Sequence, residues 1–329
     1  MKVVLNGFGR IGRSILRAWL RGAAPGVDIV GINDIADAAA CAYLLRWDSV
    51  FGPWPEPVAA TGGRLAAGGW SAPLTHAADL SALDLRGVDL VMECTGRART
   101  RAEAERGLRA GAARVLMSGP SDVADLTVVL GANDHRLAGQ TVVSNASCTT
   151  NAVAPLLRVL DDAFGIETGT MTTIHCATGS QPMVDAAHGA GGDLARSRAA
   201  SLSMVPTTTS AGALVDEVLP HLAGRVPCMA VRVPTVSVSA VDLSVMLGGR
   251  PDAEAVDAAL AAARGDVIGW EADAVVSADM RMRGESYVHL PRETRVAAGG
   301  MVRVLGWYDN EWGFARRMLD VAGRMGGAR

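Results

Sequence analysis

The chain has 329 residues, of which 49% are hydrophobic and 20% charged, enough for two domains with separate cores and too apolar for a disordered chain. Its formal net charge of −3 gives no basic surface for nucleic acid or an acidic membrane. No apolar run reaches the roughly 18 residues that span a bilayer, and no signal-peptide pattern opens the chain. Cys41, Cys94, Cys148, Cys176 and Cys228 follow no CxxC or Cys/His spacing, so neither a disulfide framework nor a metal site is expected, and the compartment expected is a reducing cytoplasm. Lys2 is the only lysine, so an anion site here is built from Arg, backbone N–H or hydroxyl groups.

Val3-Val4-Leu5 reads as a buried strand, followed at once by Gly7-Phe8-Gly9-Arg10-Ile11-Gly12 and an amphipathic helix carrying Ile15, Leu16 and Trp19. A second apolar strand, Ile29 to Ile32, ends in Asn33-Asp34, and Asp34 stands 22 residues after Gly12. A strand, GxGxxG, a helix and a following acid make a dinucleotide signature, which a lone GxGxxG does not. Gly7 allows the tight turn, Gly9 lets backbone approach a pyrophosphate, and Gly12 lets the helix pack on the strand. The helix start offers N–H groups to phosphate. Asp34 suits the adenosine ribose hydroxyls and repels a 2′-phosphate, which favours NAD over NADP.

The βα pattern continues through a strand at 88–94 that breaks at Thr95-Gly96, a second place for backbone to meet the cofactor. A helix over 102–110, a strand at 114–117 with its turn at Ser118-Gly119-Pro120, and a strand at 126–130 follow. The segment from Trp47 to Trp70 reads as loops and short antiparallel strands. Strands alternating with helices imply a parallel doubly wound sheet, with ligands at the carboxyl ends of its strands.

The middle of the chain, Ser144-Asn145-Ala146-Ser147-Cys148-Thr149-Thr150-Asn151, joins a strand end to a helix stopped near Gly165. Ser147 is a good N-cap, so Cys148 falls in the first turn, where unpaired N–H groups and the helix dipole favour a thiolate. Two readings of Cys148 stand side by side at this point: a nucleophile for a carbonyl, and a small buried hydrophobe. The alternating run Thr170 to His175 ends on a histidine that pairs with such a cysteine as a general base. His76, His135, His188, His221 and His289 read as loop or polar positions without a comparable partner.

Beyond it lie a glycine loop (Gly189 to Gly192), Arg196-Ser197-Arg198, the hydroxyl-rich turn Pro206-Thr207-Thr208-Thr209-Ser210, and Arg232 flanked by valines. Arginines in apolar surroundings need an anion, and hydroxyl turns suit phosphate oxygens. One of Arg196 and Arg198 belongs to a solvated face. A long alternating run from Val231 to Leu247 suggests a largely antiparallel sheet. A helix at 253–263, a strand at 301–307 and a closing helix at 314–325 complete the elements, with the tail after Val321 expected to fray. Asn310, in the turn between the last two, has the side-chain amide to read a carboxamide.

Five stretches, Asn6-Gly-Phe-Gly-Arg-Ile-Gly12, the octapeptide Ser144 to Asn151, Pro206-Thr-Thr-Thr209, Arg232-Val-Pro-Thr235 and Trp307-Tyr-Asp-Asn-Glu-Trp-Gly313, resemble the phosphorylating glyceraldehyde-3-phosphate dehydrogenases, in the family's order and across the chain. The resemblance implies an α/β fold: a Rossmann NAD-binding domain over residues 1–147, completed by a helix at 312–329, and an α+β catalytic domain over 148–311. It also implies a cytoplasmic homotetramer with a glycolytic role. In the family's chemistry Cys148 forms a hemithioacetal and then a thioester, with His175 taking the hydroxyl proton. Thr178 and Arg232 would hold the substrate's terminal phosphate, while Ser147, Thr149, Arg196, Thr209 and Ser210 would serve inorganic phosphate. Asn310 would bind the nicotinamide carboxamide, with Gly7, Gly9, Arg10, Ile11, Gly12, Asp34, Thr95, Gly96 and Ser118 on the rest of NAD.

The chain departs from the family's commonest form at Ala177-Thr178-Gly179-Ser180-Gln181, in a loop from His188 to Arg196 three residues longer than usual, at Ser210 in place of Gly, at Phe51 in place of His, and at Ala152 in place of a second Cys. Asp161 to Glu167, Ala240 to Val245 and Gly313 to Asp320 look more like the erythrose-4-phosphate dehydrogenase branch, in which water tends to release the thioester. Pro206 to Thr209 and Tyr308 look like the glyceraldehyde-3-phosphate branch. The expected activity is NAD-dependent oxidative phosphorylation of glyceraldehyde 3-phosphate. Erythrose-4-phosphate oxidation is the alternative within the family, and a redox-sensing binding protein the alternative outside it.

Overall fold

The computed structural model describes residues 1–179, 181–187 and 193–327. The chain divides into two compact units. The first contains Met1–Val128, Asp134–Ala146 and the segment from Phe314; the second contains Val129–Asn133 and Ser147–Gly313.

In the first unit β1 (Lys2–Asn6), α1 (Arg10–Leu20), β2 (Asp28–Asn33) and α2 (Ala38–Arg46) lead into the meander β3 (Val58–Thr61), β4 (Arg64–Ala67) and β5 (Trp70–Thr75). Then come β6 (Leu90–Glu93), α3 (Arg101–Ala104), α4 (Arg106–Arg109), β7 (Val115–Met117), β8 (Leu126–Thr127) and β9 (Val142–Ser144). The strand order β3-β4-β5-β2-β1-β6-β7-β9-β8 places β1 centrally, with β2 and β6 parallel to it on either side. That is the doubly wound α/β sheet the βα alternation predicts, with an antiparallel edge at β3–β5. Val3 and Leu5 on one face and Val4 on the other are all buried, as a strand covered on both faces requires.

The glycine turn after β1 is dictated by contact. Gly7 has φ +94°, and a Cβ there would lie 2.7 Å from the backbone of Cys94 and Thr95. A Cβ at Gly12 would collide with the Gly7 carbonyl oxygen, so α1 starts this close to β1 only because both positions lack a side chain.

The second unit is built from α5 (Cys148–Phe164), β10 (Ile166–Cys176), β11 (Val205–Thr207), α6 (Ala211–Val218), β12 (Cys228–Val233), β13 (Ser239–Leu247) and α7 (Ala253–Ala262). The strands β14 (Ile268–Trp270), β15 (Tyr287–His289), β16 (Arg295–Val296) and β17 (Met301–Tyr308) follow, and then α8 (Trp312–Met325). The sheet order is β11-β12-β10-β13-β17-β15-β14, with β16 on β17. Most pairings are antiparallel; β10 with β12 and β14 with β15 are parallel. Period-two alternation puts Met171, Thr173 and His175 of β10 on one face and Thr172 and Ile174 on the other. The first set is buried, while Ile174 is exposed.

Several boundaries differ from the sequence reading. The strand expected over 126–130 stops at Thr127, because the Val129 N–H goes to the Asn133 side chain at 2.9 Å instead of to a ladder. The helix expected over 102–110 is two short ones, the first opened by a capping box between Thr100 and Glu103. The run from Val231 to Leu247 is two strands: Pro234 has no N–H to offer a ladder, and Val238 turns the chain at φ +66°. The tail after Val321 holds its helix to Met325, because Val321, Ala322 and Met325 are buried.

Replacing Gly12 with Ala forces α1 away from the Gly7 carbonyl. A loss of about 1–3 kcal/mol is expected, read as a lower urea midpoint; an unchanged midpoint would contradict the contact.

Candidate active site

The Cys–His pair forms where α5 begins and β10 ends. Ser147 caps α5, its Oγ accepting from the Thr150 N–H at 3.0 Å, so Cys148 opens the helix. Gly165, at φ +72°, stops the helix and returns the chain into β10. His175 then comes to lie with Nε2 3.6 Å from Cys148 Sγ. Its ring meets the Tyr308 ring edge-on at 6.0 Å. The Tyr308 hydroxyl bridges Thr149 Oγ1 (2.9 Å) and Thr173 Oγ1 (2.8 Å), tying α5, β10 and β17 together beneath the pair. The strained turn at Val238 leads into Ser239, whose Oγ accepts from the Cys176 N–H at 3.1 Å and fixes the end of β10.

Arg232 faces His175 directly in the parallel β10–β12 register. Its Nη1 lies 2.8 Å from His175 Nδ1 and donates to the Cys176 carbonyl at 3.0 Å. His175 Nδ1 is also 2.8 Å from that carbonyl oxygen. Burial, and then the Arg232 charge, lower the His175 pKa to about 4. Burial pushes the Cys148 thiol up against the opposing pull of Arg232. The backbone N–H groups at the helix start do pull towards the thiolate, but desolvation of the sulfur outweighs them. Both groups are disfavoured when charged singly, yet one proton can pass between Sγ and Nε2 without changing the net charge of the pair.

The residues proposed for phosphate divide by environment. Arg196 lies in a single turn over Leu194–Ser197, close enough to Arg232 for their charges to repel. Arg198 is the solvated member of that pair of arginines, bound to Asp185 at 2.7 Å on the surface. Thr209 Oγ1 accepts from the Ala211 N–H at 3.2 Å, and exposed Ser210 stands at the cap position of α6 without bonding it. Thr149 is buried with its hydroxyl on Tyr308, and Thr178 follows the end of β10. Ser180 and the glycine loop at 188–192 lie outside the described residues. Asn310 is buried, and the Cys176 thiol, held neutral by burial with a pKa of about 12, donates to its Oδ1 at 3.1 Å.

In the first unit, a cavity of about 240 Å³ opens at the carboxyl ends of β1, β2 and β6, lined by Gly7, Gly9, Asp34, Glu93, Thr95 and Arg97 among others. Gly9 caps α1 without a side-chain bond, and a Cβ there would meet nothing within 4 Å, so the helix start faces open space. That is a cradle for a phosphate group and fits a dinucleotide. Asp34 accepts from the N–H of Phe8 (2.5 Å) and of Ala36 (2.8 Å), which holds the glycine turn. Arg10 is paired with Asp48 at 2.6 Å and stacks over Phe51. Ile11 is half-buried in the first turn of α1, and Gly96 has φ +66°. Gly96 and Ser118 line a second, smaller cavity of about 140 Å³.

Sequence reasoning missed a polar network under the larger cavity. Asn6 Nδ2 donates to Glu93 at 2.5 Å, Asn33 Nδ2 to Asn6 Oδ1 at 2.8 Å, and the Thr95 N–H to Glu93 at 2.8 Å. Polar residues ending three apolar strands were the available signal. It also missed the partner of His289, which is fully buried in β15 with Nε2 2.8 Å from Asp257 and Nδ1 3.2 Å from the Tyr287 hydroxyl. This corrects its reading as a loop or polar position: it is buried in a strand, though no cysteine among the described residues faces it.

Among the described residues no group of three or more His, Cys, Asp or Glu side chains could hold a metal ion, no helix is long and apolar enough to cross a membrane, and all five cysteines are free.

A doubly wound sheet with a dinucleotide cradle, in a chain that also carries an α+β unit with a Cys–His pair, defines a nicotinamide-dependent dehydrogenase. The family described as glyceraldehyde 3-phosphate dehydrogenase, NAD binding domain, matches residues 1–101, and its C-terminal domain matches residues 147–310. The chain is 44% identical to the glyceraldehyde-3-phosphate dehydrogenase of Xanthobacter flavus, covering 99% of this chain and 98% of that protein. It is 45% identical to that of Cereibacter sphaeroides, with the same coverage, and 42% identical to glyceraldehyde-3-phosphate dehydrogenase 1 of Bacillus subtilis, covering 98% and 97%. The chain belongs to the glyceraldehyde 3-phosphate dehydrogenase family.

The depressed pKa of His175 has a sign that can be tested. The unfolded chain binds a proton at this ring below about pH 6.5, while the folded protein does so only near pH 4. Its contribution is fully present above the unfolded value and is lost as pH falls towards the folded one, at about 1.4 kcal/mol per pH unit. Urea unfolding from pH 7 to 4 is expected to lose less stability in His175→Gln than in the natural protein; equal slopes would contradict it.

Proposed function

We propose that this protein is an NAD-dependent, phosphorylating dehydrogenase that oxidises glyceraldehyde 3-phosphate to 1,3-bisphosphoglycerate. The observation that carries the reading is Cys148 Sγ facing His175 Nε2 at 3.6 Å, with Arg232 opposite, in a chain of this family. Cys148 attacks the aldehyde carbon, forming a C–S bond and a hemithioacetal. His175 takes the hydroxyl proton at Nε2 as the carbon gives up its hydride, leaving a thioester on Cys148. An oxygen of inorganic phosphate then attacks the thioester carbon, the C–S bond breaks to release the acyl phosphate, and the proton on His175 returns to the sulfur.

Thr178 and Arg232 anchor the substrate's terminal phosphate in this reading. Ser147, Thr149, Arg196, Thr209 and Ser210 receive inorganic phosphate. Thr149 reaches it only if its hydroxyl shares Tyr308 with the anion. NAD, when bound, supplies the hydride acceptor. Gly7, Gly9 and Gly12 leave room for its pyrophosphate at the start of α1, with Arg10 and Ile11 in that first turn. Asp34 serves the adenosine ribose, Thr95, Gly96 and Ser118 flank the path, and Asn310 holds the carboxamide. The domain boundaries of this reading are 1–147 with 312–329, and 148–311.

The relatives' names do not favour the erythrose-4-phosphate alternative. A cytoplasmic homotetramer completes the reading. Its self-association is supported by large apolar side chains left exposed on the outer face of the second sheet, Ile174, Met229 and Met301, and before β11, Met183, Leu202 and Met204.

Purified protein is expected to form NADH from glyceraldehyde 3-phosphate only with inorganic phosphate present, and Cys148→Ser to lose about 1,000-fold or more in kcat/KM. Turnover indifferent to phosphate would replace phosphorolysis with hydrolysis. A serine variant near full activity would sink the mechanism.

A further inference from the structure

Consecutive residues of a strand point to opposite sides, so the end of β10 serves two places at once: His175 turns to Cys148, and Cys176 turns to Asn310. The Cys176 thiol donates to Asn310 Oδ1 at 3.1 Å, and both residues are buried. The oxidation of the aldehyde leaves this second thiol unused.

Backbone holds both ends of the contact. The Cys176 N–H donates to Ser239 Oγ at 3.1 Å, and the Cys176 carbonyl accepts from Arg232 Nη1 at 3.0 Å. Beside Asn310, the buried carboxylate of Asp309 accepts from the N–H groups of Met282 (2.8 Å), Glu311 (3.0 Å) and Trp312 (2.8 Å). The turn that carries Asn310 is thereby closed. Its side-chain amide keeps one freedom, the half-turn that exchanges oxygen and nitrogen.

The thiol decides that half-turn. An amide oxygen only accepts and an amide NH2 only donates, while a thiol has one proton to give and a sulfur that accepts weakly. Burial holds the Cys176 thiol protonated. With Oδ1 towards Sγ, a buried acceptor is satisfied; with Nδ2 there instead, both the oxygen and the S–H lose their partner. Nδ2 therefore faces away from Cys176, and it has no hydrogen-bond partner among the described residues.

We propose that Cys176 is a positioning residue for the cofactor: it fixes the Asn310 amide with Nδ2 outward, so that the nicotinamide's carboxamide is read through its carbonyl oxygen, and a dinucleotide whose ring substituent can only donate is rejected. This rests on the reading of Asn310 as the partner of the carboxamide. An asparagine free to turn would present either edge and take either kind of substituent. The specificity thus comes from a contact behind the recognising side chain, which settles which of its two edges is offered.

The experiment measures dissociation constants by calorimetry on the full-length protein, without substrate. The probes are two dinucleotides that differ from NAD only at the ring substituent. In 3-acetylpyridine adenine dinucleotide that group only accepts, and in 3-aminopyridine adenine dinucleotide it is a donor. The natural protein is expected to bind the acetyl compound about tenfold or more tighter. Cys176→Ala removes the thiol, and the ratio should fall to within about threefold of one. Cys176→Ser returns a donor and should restore the preference. A packing defect would weaken both compounds together and leave their ratio unchanged. Equal binding of the two by the natural protein would overturn the proposal even if Cys176→Ala did not fold, and so would an alanine variant that keeps the full preference. Asn310→Ala separates the two readings. If the preference survives that change, Asn310 is not the partner of the carboxamide and the cofactor reading itself fails. If it is lost there but kept in Cys176→Ala, the positioning role of Cys176 fails alone.

Discussion

The contact between Cys148 Sγ and His175 Nε2 depends on two elements ending at one place. A capped helix start brings the sulfur, and the penultimate residue of an eleven-residue strand brings the imidazole. Neither group is positioned by its own neighbours alone. The ring is fixed from behind by Tyr308 and from the side by Arg232, and the strand end is fixed by Ser239 on the next strand. Removing any of these leaves the residue types in place and the geometry undefined, which is why catalytic pairs depend on supporting contacts as much as on their own chemistry.

Burial governs the electrostatics of this centre. A thiol and an imidazole taken out of water are each held neutral, and a guanidinium left with uncharged partners is held in an unfavourable state. Such a site is set up to receive negative charge. An anion placed beside it would satisfy the arginine, and a proton can pass within the pair without creating an isolated charge. The first unit reaches anion affinity differently. Its start of α1 is uncapped and opens on space, and the absence of a Cβ at Gly7 and Gly12 makes the close turn possible.

Much of this was legible from the chain. The strand–glycine–helix–acid series identified the doubly wound sheet because its glycines answer a steric demand that no other residue meets. The octapeptide around Cys148 predicted the cap and the helix start, since capping is a matter of three or four adjacent residues. His175 at the end of an alternating run was likewise a local pattern. The misses had local causes as well: the Asn133 side chain that ends β8, the Pro234 and Val238 turn that divides one alternating run into two strands, and the buried tail of α8. In each, a side chain or a packing surface overrode a pattern that periodicity alone would extend.

The sequence by itself determined which chemistry is available: a thiol at a helix start, an imidazole at a strand end, arginines for anions and a dinucleotide turn. Only the tertiary structure decided how these groups act on one another. Arg232 lies 57 residues from His175 and Tyr308 lies 159 from Thr149; strand register brings the first pair within hydrogen-bonding reach, and the packing of α5 against the sheet the second. Whether a thiol is raised or lowered follows from burial and from the charges nearby. Those are set by packing across the sheet, which no local pattern encodes.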